Sequence, residues 1–216
     1  MRWLIDPAST QGATMRGDWY VFIVAGLCVG AFVYACIFWC IIAYRRRDGR
    51  DPARFTRNTP LEITYVVIPL LIVIGLFGVT LRDEISVDAV SPNPGNHVGV
   101  TAFRWSWRFA YPGGFSTSGT PADPPTLYLP LGRPTQIELT SIDVTHSFWI
   151  PAFLFKRDAI PGVRNDFDVT PARIGMFLGR CAQFCGIDHA LMTFEVKVVP
   201  EAAYDRYLAS RGRDIP

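Results

Sequence analysis

Hydrophobic positions follow two different regimes along this chain. From Val21 to Tyr44 (VFIVAGLCVGAFVYACIFWCIIAY), and again from Ile63 to Leu81 (ITYVVIPLLIVIGLFGVTL), there is no charged residue. A helix needs about 20 apolar residues to cross a hydrocarbon core of ~30 Å, and a buried core helix seldom runs so far without a polar face. Both stretches predict transmembrane helices, over 21–44 and 63–81, and Pro69 is expected to kink the second. Residues 1–20 then read as a tail, 45–62 as a connecting loop and 82–96 as a polar linker whose Pro and Gly exclude a long helix.

From about His97 the pattern changes to short β-rich runs, among them VGVTAFRWSWRFAY, TLYLP, TQIELTSI, FDVT, IGMFLG and LMTFEVKVV. PGG, PADPP, LGRP and IPG punctuate them, and strands at this spacing predict a small β-sandwich over 97–199. Within AFRWSWRFAYPG, period-2 counting puts Phe103, Trp105, Trp107 and Phe109 on one strand face, most of them as a plain aromatic core. PEAAYDRYLAS predicts a short helix within residues 200–216. The expected architecture is a membrane-anchored α+β chain: a two-helix hairpin, an external all-β sandwich and a short C-terminal helix.

Charge adds orientation. The loop RRRDGRDPARFTR carries Arg45, Arg46, Arg47, Arg50, Arg54 and Arg57 against Asp48 and Asp51, whereas the N-terminal tail has only Arg2 and Arg16. The positive-inside rule keeps this loop in the cytoplasm and puts both termini and the sandwich outside. Residues 1–82 hold nine basic and five acidic side chains; residues 83–216 hold twelve and fourteen. A mildly acidic external part argues against nucleic-acid binding and fits a basic protein partner. The tail lacks a signal-peptide pattern, and Cys28 follows Leu27 rather than a small residue, which argues against lipidation. The first span is therefore exported uncleaved, or the precursor starts before Met1.

Cys28, Cys36 and Cys40 fall in the first span, where a thiol behaves as a small hydrophobe. Outside the membrane only Cys181 and Cys185 remain, in GRCAQFCGIDHALMTF, with His189 and Met192 close behind and His146 upstream in DVTHSFWIP. A disulfide would explain neither histidine nor methionine, and a thioredoxin-like dithiol prefers two intervening residues in a βαβ context. Structural zinc accepts Cys2His2 but does not favour a thioether; thiolate, imidazole and thioether together form a copper set. One cysteine, two histidines and a methionine would serve mononuclear copper, so the second thiolate suggests two copper ions sharing bridging sulfurs. Mononuclear copper ranks second and zinc third.

The segments DVTHSFWIP, FKRDAIPG and CAQFCGIDHALM, together with the helical hairpin, resemble subunit II of the haem–copper cytochrome c oxidases over nearly the whole chain. The resemblance implies a cupredoxin sandwich holding the dicopper centre called CuA. It implies that Cys181 and Cys185 bridge both coppers, that His146 and Met192 complete one, and that His189 and the Gln183 carbonyl complete the other. The family commonly has glutamate at Gln183, whose side chain also binds magnesium; an amide is a poorer partner for a hard cation, so magnesium is left unassigned.

The resemblance also makes Trp105 the port through which cytochrome c delivers its electron, although Ser106 stands where the family often has tyrosine. It puts Glu62, at the cytoplasmic mouth of the second span, at the entrance of a proton channel into subunit I. A first-turn acid is equally favoured by the helix dipole alone. The implied function is the electron-accepting subunit of a proton-pumping oxidase in the bacterial cytoplasmic membrane. Its implied partners are subunit I, other oxidase subunits, cytochrome c and lipid, with oxygen reduced in subunit I. The alternative is a membrane-tethered copper-binding or chaperone protein without an oxidase role. Asp143, Asp158 and Asp188 could attract a basic donor, but none is given a role.

Overall fold

The computed structural model describes residues 6–45 and 56–211. Most of the basic loop, including Arg46, Arg47, Arg50 and Arg54, lies outside the described residues, as do residues 1–5 and 212–216. The chain forms two compact units: Gly17–Asp83, and the residues from Glu84 onward together with those before Gly17.

The first unit holds most of the helices α1 (Thr10–Ala43) and α2 (Thr59–Val87), which are long and apolar enough to cross a membrane and whose large apolar side chains within it are largely exposed. Both run beyond the uncharged stretches 21–44 and 63–81. At the start of α1, Ser9 Oγ accepts the Gly12 N–H at 3.0 Å, a capping bond that sets the first turn well before Val21. At the start of α2, Asn58 Oδ1 accepts the Leu61 N–H at 3.3 Å and Glu62 Oε1 accepts the Asn58 N–H at 3.2 Å. Pro69 sits inside α2, which continues on either side of it. The linker expected over 82–96 is shorter than its composition suggested. No glycine or proline falls between Leu81 and Pro92, so α2 persists to Val87.

The second unit is a sandwich of two five-stranded sheets among the described residues. Its strands are β1 (Asn96–Phe103), β2 (Ser106–Ala110), β3 (Ser116–Ser118), β4 (Thr126–Pro130) and β5 (Thr135–Ser141), then β6 (His146–Ile150), β7 (Phe155–Ala159), β8 (Asn165–Val169), β9 (Gly175–Cys181) and β10 (Thr193–Val199). One sheet runs β3-β2-β1-β5-β8 and the other β4-β10-β9-β6-β7, with β1–β5 and β10–β4 paired in parallel. Alternation fixes the inner faces: Val98, Val100 and Ala102 of β1 meet Phe194, Val196 and Val198 of β10 in one buried core. Each of the valine and phenylalanine side chains taken from water contributes about 1.5–3 kcal/mol. The helix α3 (Glu201–Arg211) closes the chain, with Tyr204 buried.

Two expectations need correction. The run VGVTAFRWSWRFAY is not one strand. It is a hairpin, β1 and β2 pairing antiparallel with Phe103 opposite Ser106 and the turn at Arg104–Trp105. The four aromatics therefore do not share a face: Trp107 and Phe109 are fully buried, Phe103 lies on the other side of β1, and Trp105 sits in the turn. The tail is also not a free appendage. Ala8 and Ser9 are buried, Ala8 bonds Ala152 and Ala172 through its main chain, and Ser9 Oγ donates to the Phe153 carbonyl at 3.0 Å.

Candidate metal centre

The six residues singled out between His146 and Met192 come together at one end of the sandwich. His146 opens β6 and is fully buried; Cys181 closes β9. Residues 182–192 form a loop pinned at its base, where the Cys181 N–H donates to the Met192 carbonyl at 2.9 Å and the Ala182 N–H to the Ser147 carbonyl at 3.0 Å. A single 3-10 turn, His189–Leu191, directs His189 inward, and Met192 beyond it is fully buried.

The donor atoms converge. Cys181 Sγ and Cys185 Sγ lie 3.9 Å apart, too far for a disulfide of about 2.05 Å but close enough for one ion to touch both at thiolate bond lengths of about 2.3 Å. His146 Nδ1 lies 3.8 Å from Cys181 Sγ, and His189 Nδ1 lies 3.5 Å from Cys185 Sγ. The Gln183 carbonyl is 3.2 Å from Cys181 Sγ, and Met192 Sδ is 3.8 Å from Cys185 Sγ. Each sulfur thus has one imidazole and one further donor beside it, and His146, Cys181 and Cys185 are close enough to hold a common ion. The set is soft, largely buried and suited to copper in preference to magnesium or calcium.

The two thiols are not equivalent. Burial pushes Cys181 up, but His146 and the main chain at Ser147 and Gln183 outweigh it and bring the thiol down to about 6. Burial, followed by the charge of Cys181, drives Cys185 up to about 12. The sulfur beside His146, Cys181, is the one that ionises more readily.

Trp105 lies over the loop: its indole N–H donates to the Cys185 carbonyl at 3.3 Å. Gly186 makes this approach possible. Its φ of +128° is a conformation side chains rarely adopt, and a Cβ there would lie 3.0 Å from Trp105 Nε1. Trp107, on the strand that follows, meets His146 edge-on at 6.3 Å between ring centroids. Phe184 and Ile187 of the loop point outward and are strongly exposed, with Phe184 5.8 Å from the His189 ring. Glu62 belongs to the other unit, in the first turn of α2, where its carboxylate caps Asn58.

Sequence reasoning missed the role of Asp143. Its Oδ1 is 2.9 Å from His146 Nε2, and burial, which would raise the carboxyl, is outweighed by bonds from His146, Arg104 and Val144 that hold it near 2. The available signal was its spacing, a carboxylate three residues before a candidate ligand in DVTH.

Two thiols, two imidazoles and a thioether at the end of a cupredoxin-like sandwich, on a chain with two apolar helices, define a membrane-anchored metal-site protein of the cupredoxin class. Residues 122–199 match the family described as cytochrome c oxidase subunit II, periplasmic domain. A protein of Streptomyces avermitilis named "Probable cytochrome c oxidase subunit 2" is 37% identical, the match covering 94% of this chain and 76% of that one. The crystal structure of the periplasmic domain of subunit II of cytochrome oxidase of Bradyrhizobium japonicum superposes with a TM-score of 0.53 at 29% identity, over 59% of this chain and all of that one. A mixed disulfide between a thioredoxin-like protein and subunit II of cytochrome c oxidase matches at TM-score 0.52 and 29% identity, over 58% of this chain and 98% of that one. The chain belongs to the cytochrome c oxidase subunit II family.

Proposed function

We propose that this chain is the electron-accepting subunit of a proton-pumping cytochrome c oxidase, taking electrons from cytochrome c outside the membrane and handing them to haem in subunit I. The observation that carries the reading is the paired-sulfur cluster, in which two thiols 3.9 Å apart are each flanked by an imidazole nitrogen. Cys181, Cys185, His146, Met192, His189 and the Gln183 carbonyl would together hold two copper ions. Copper supplies a one-electron relay. The protein's share is to keep the donors fixed and dry, since a ligand set buried in a packed sandwich rearranges little between charge states.

Trp105 serves as the port, a reading supported by its indole bond to the Cys185 carbonyl. The exposed Phe184 and Ile187 give a partner an apolar surface beside the ligands. Both helices span the bacterial cytoplasmic membrane with the two termini and the copper domain outside, and Glu62 gathers protons at the cytoplasmic end of α2. The Gln183 amide leaves magnesium without its usual carboxylate. Copper loading needs both sulfurs reduced. A thioredoxin-like dithiol is suited to reducing them. It attacks a Cys181–Cys185 disulfide, passes through a mixed disulfide and leaves as a disulfide itself, returning two thiols.

The test is rapid mixing of the purified oxidase with reduced cytochrome c. Oxidation of the cytochrome in step with reduction of the copper chromophore is expected, slowed strongly in Trp105→Ala with copper retained. Copper binding without reduction by cytochrome c would instead support a tethered copper carrier.

A further inference from the structure

Asp143 is tied to two functions by different atoms. Its Oδ1 accepts the Val144 N–H at 2.6 Å and faces His146 Nε2 at 2.9 Å, with Ser141 Oγ at 3.4 Å. Its Oδ2 accepts the Arg104 main-chain N–H at 2.7 Å and the Arg104 guanidinium Nε–H at 3.4 Å. Arg104 directly precedes Trp105 in the β1–β2 turn, and the Trp105 indole is held from its other side by the Cys185 carbonyl. A single carboxylate therefore touches the outer nitrogen of a copper ligand and the peptide that sets the electron port.

We infer that Asp143 is a positioning residue whose two oxygens divide the work: Oδ1 fixes the ring and tautomer of His146, and Oδ2 fixes the turn that carries Trp105. The inference deepens the proposed function and rests on it. With a proton on Nε2 directed at Oδ1, His146 presents an unprotonated Nδ1 to the sulfurs, as a metal ligand must. With Oδ2 accepting from Arg104, the turn cannot rotate Trp105 off the loop without breaking a charge-assisted bond. The division follows from donor chemistry. An asparagine has one acceptor oxygen, and a copper-bound His146 keeps its Nε2 proton, so that oxygen stays with His146. The amide NH2 then takes the place of Oδ2 and faces the Arg104 N–H, donor against donor.

The experiment uses the intact oxidase complex with Asp143→Ala and the isosteric Asp143→Asn. Two rates are read: copper release to an excess of copper(I) chelator, and the saturating first-order rate of copper reduction by cytochrome c, which is insensitive to a weakened encounter. Asp143→Ala is expected to release copper on the order of tenfold faster or more, the usual effect of losing a ligand's outer partner, and to be reduced more slowly. Asp143→Asn is expected to hold copper nearly as well as the wild type while reduction falls several-fold. If Asp143→Ala does not assemble, Asp143→Asn carries the test. The inference is overturned if Asp143→Ala keeps copper like the wild type. It is equally overturned if Asp143→Asn is reduced at the wild-type rate or loses copper as fast as Asp143→Ala. A wild-type complex that holds no copper, or is not reduced, would overturn the proposed function along with it.

Discussion

Gly186 shows how little space separates Trp105 from the loop that carries the two cysteines. A methyl group there would lie 3.0 Å from Trp105 Nε1 and 3.1 Å from Trp105 Cζ2, at a backbone φ of +128°. Gly186→Ala should cost about 1–3 kcal/mol in backbone strain, read as a lower melting temperature. It should also displace the indole, so that reduction by cytochrome c slows while the copper content holds. Unchanged reduction would mean that Trp105 is not held by this contact. At this scale the convergent donors are legible in the sequence: two thiols, two histidines and a methionine stand out once the spacing is counted, and the fold brings them together. Asp143 and Gly186 are not. Their roles come from which atom meets Arg104, His146 or Trp105 across the fold, and neither residue type is unusual in a loop.

Among the elements, β9 and β10 flank the cysteine loop, and a glycine lets them close. Gly179 faces the Phe194 ring, and a Cβ there would come within 2.1 Å of Phe194 Cε2, while Phe194 in turn stacks on Phe148 at 4.8 Å. Gly179→Ala should destabilise the sandwich by about 1–3 kcal/mol through overpacking, measured by denaturant titration. The last helix is anchored similarly by Tyr204, whose hydroxyl accepts the Asn96 Nδ2–H at 2.7 Å. Burial raises this phenol to about 12, a shift its bond with Asn96 only partly opposes. Its folded value lies above the ordinary value of about 10, so its contribution is complete below that pH and is lost as pH rises towards 12. Tyr204→Phe should flatten the alkaline end of the stability profile; a profile identical to the wild type would contradict this anchoring.

Element types were readable from periodicity, since strands alternate and the apolar spans do not. Element ends were less so. Ser9 and Asn58 start their helices with local capping bonds, and the Arg104–Trp105 turn interrupts an alternation that reads as one continuous strand.

For the whole molecule, composition separates the chain correctly into apolar helices and a sandwich. What it does not reveal is that Ala8 and Ser9, far away in sequence, pair with the strand connections of the sandwich. Two residues with no apolar pattern give no sign of a distant main-chain partner. The proposed proton role of Glu62 belongs to this scale, because it concerns coupling across the complex. Glu62→Gln should slow oxygen turnover while reduction of copper by cytochrome c stays at the wild-type rate, and a full turnover rate would leave Glu62 as the cap of Asn58 alone. The central claim is that Cys181 and Cys185 hold two coppers that share one electron. Electron paramagnetic resonance of the purified oxidase, with copper counted per chain, tests it most directly. Two coppers per chain and one unpaired electron spread equally over both nuclei, abolished in Cys185→Ser, is the predicted result; a signal localised on a single copper, or zinc in its place, would contradict it.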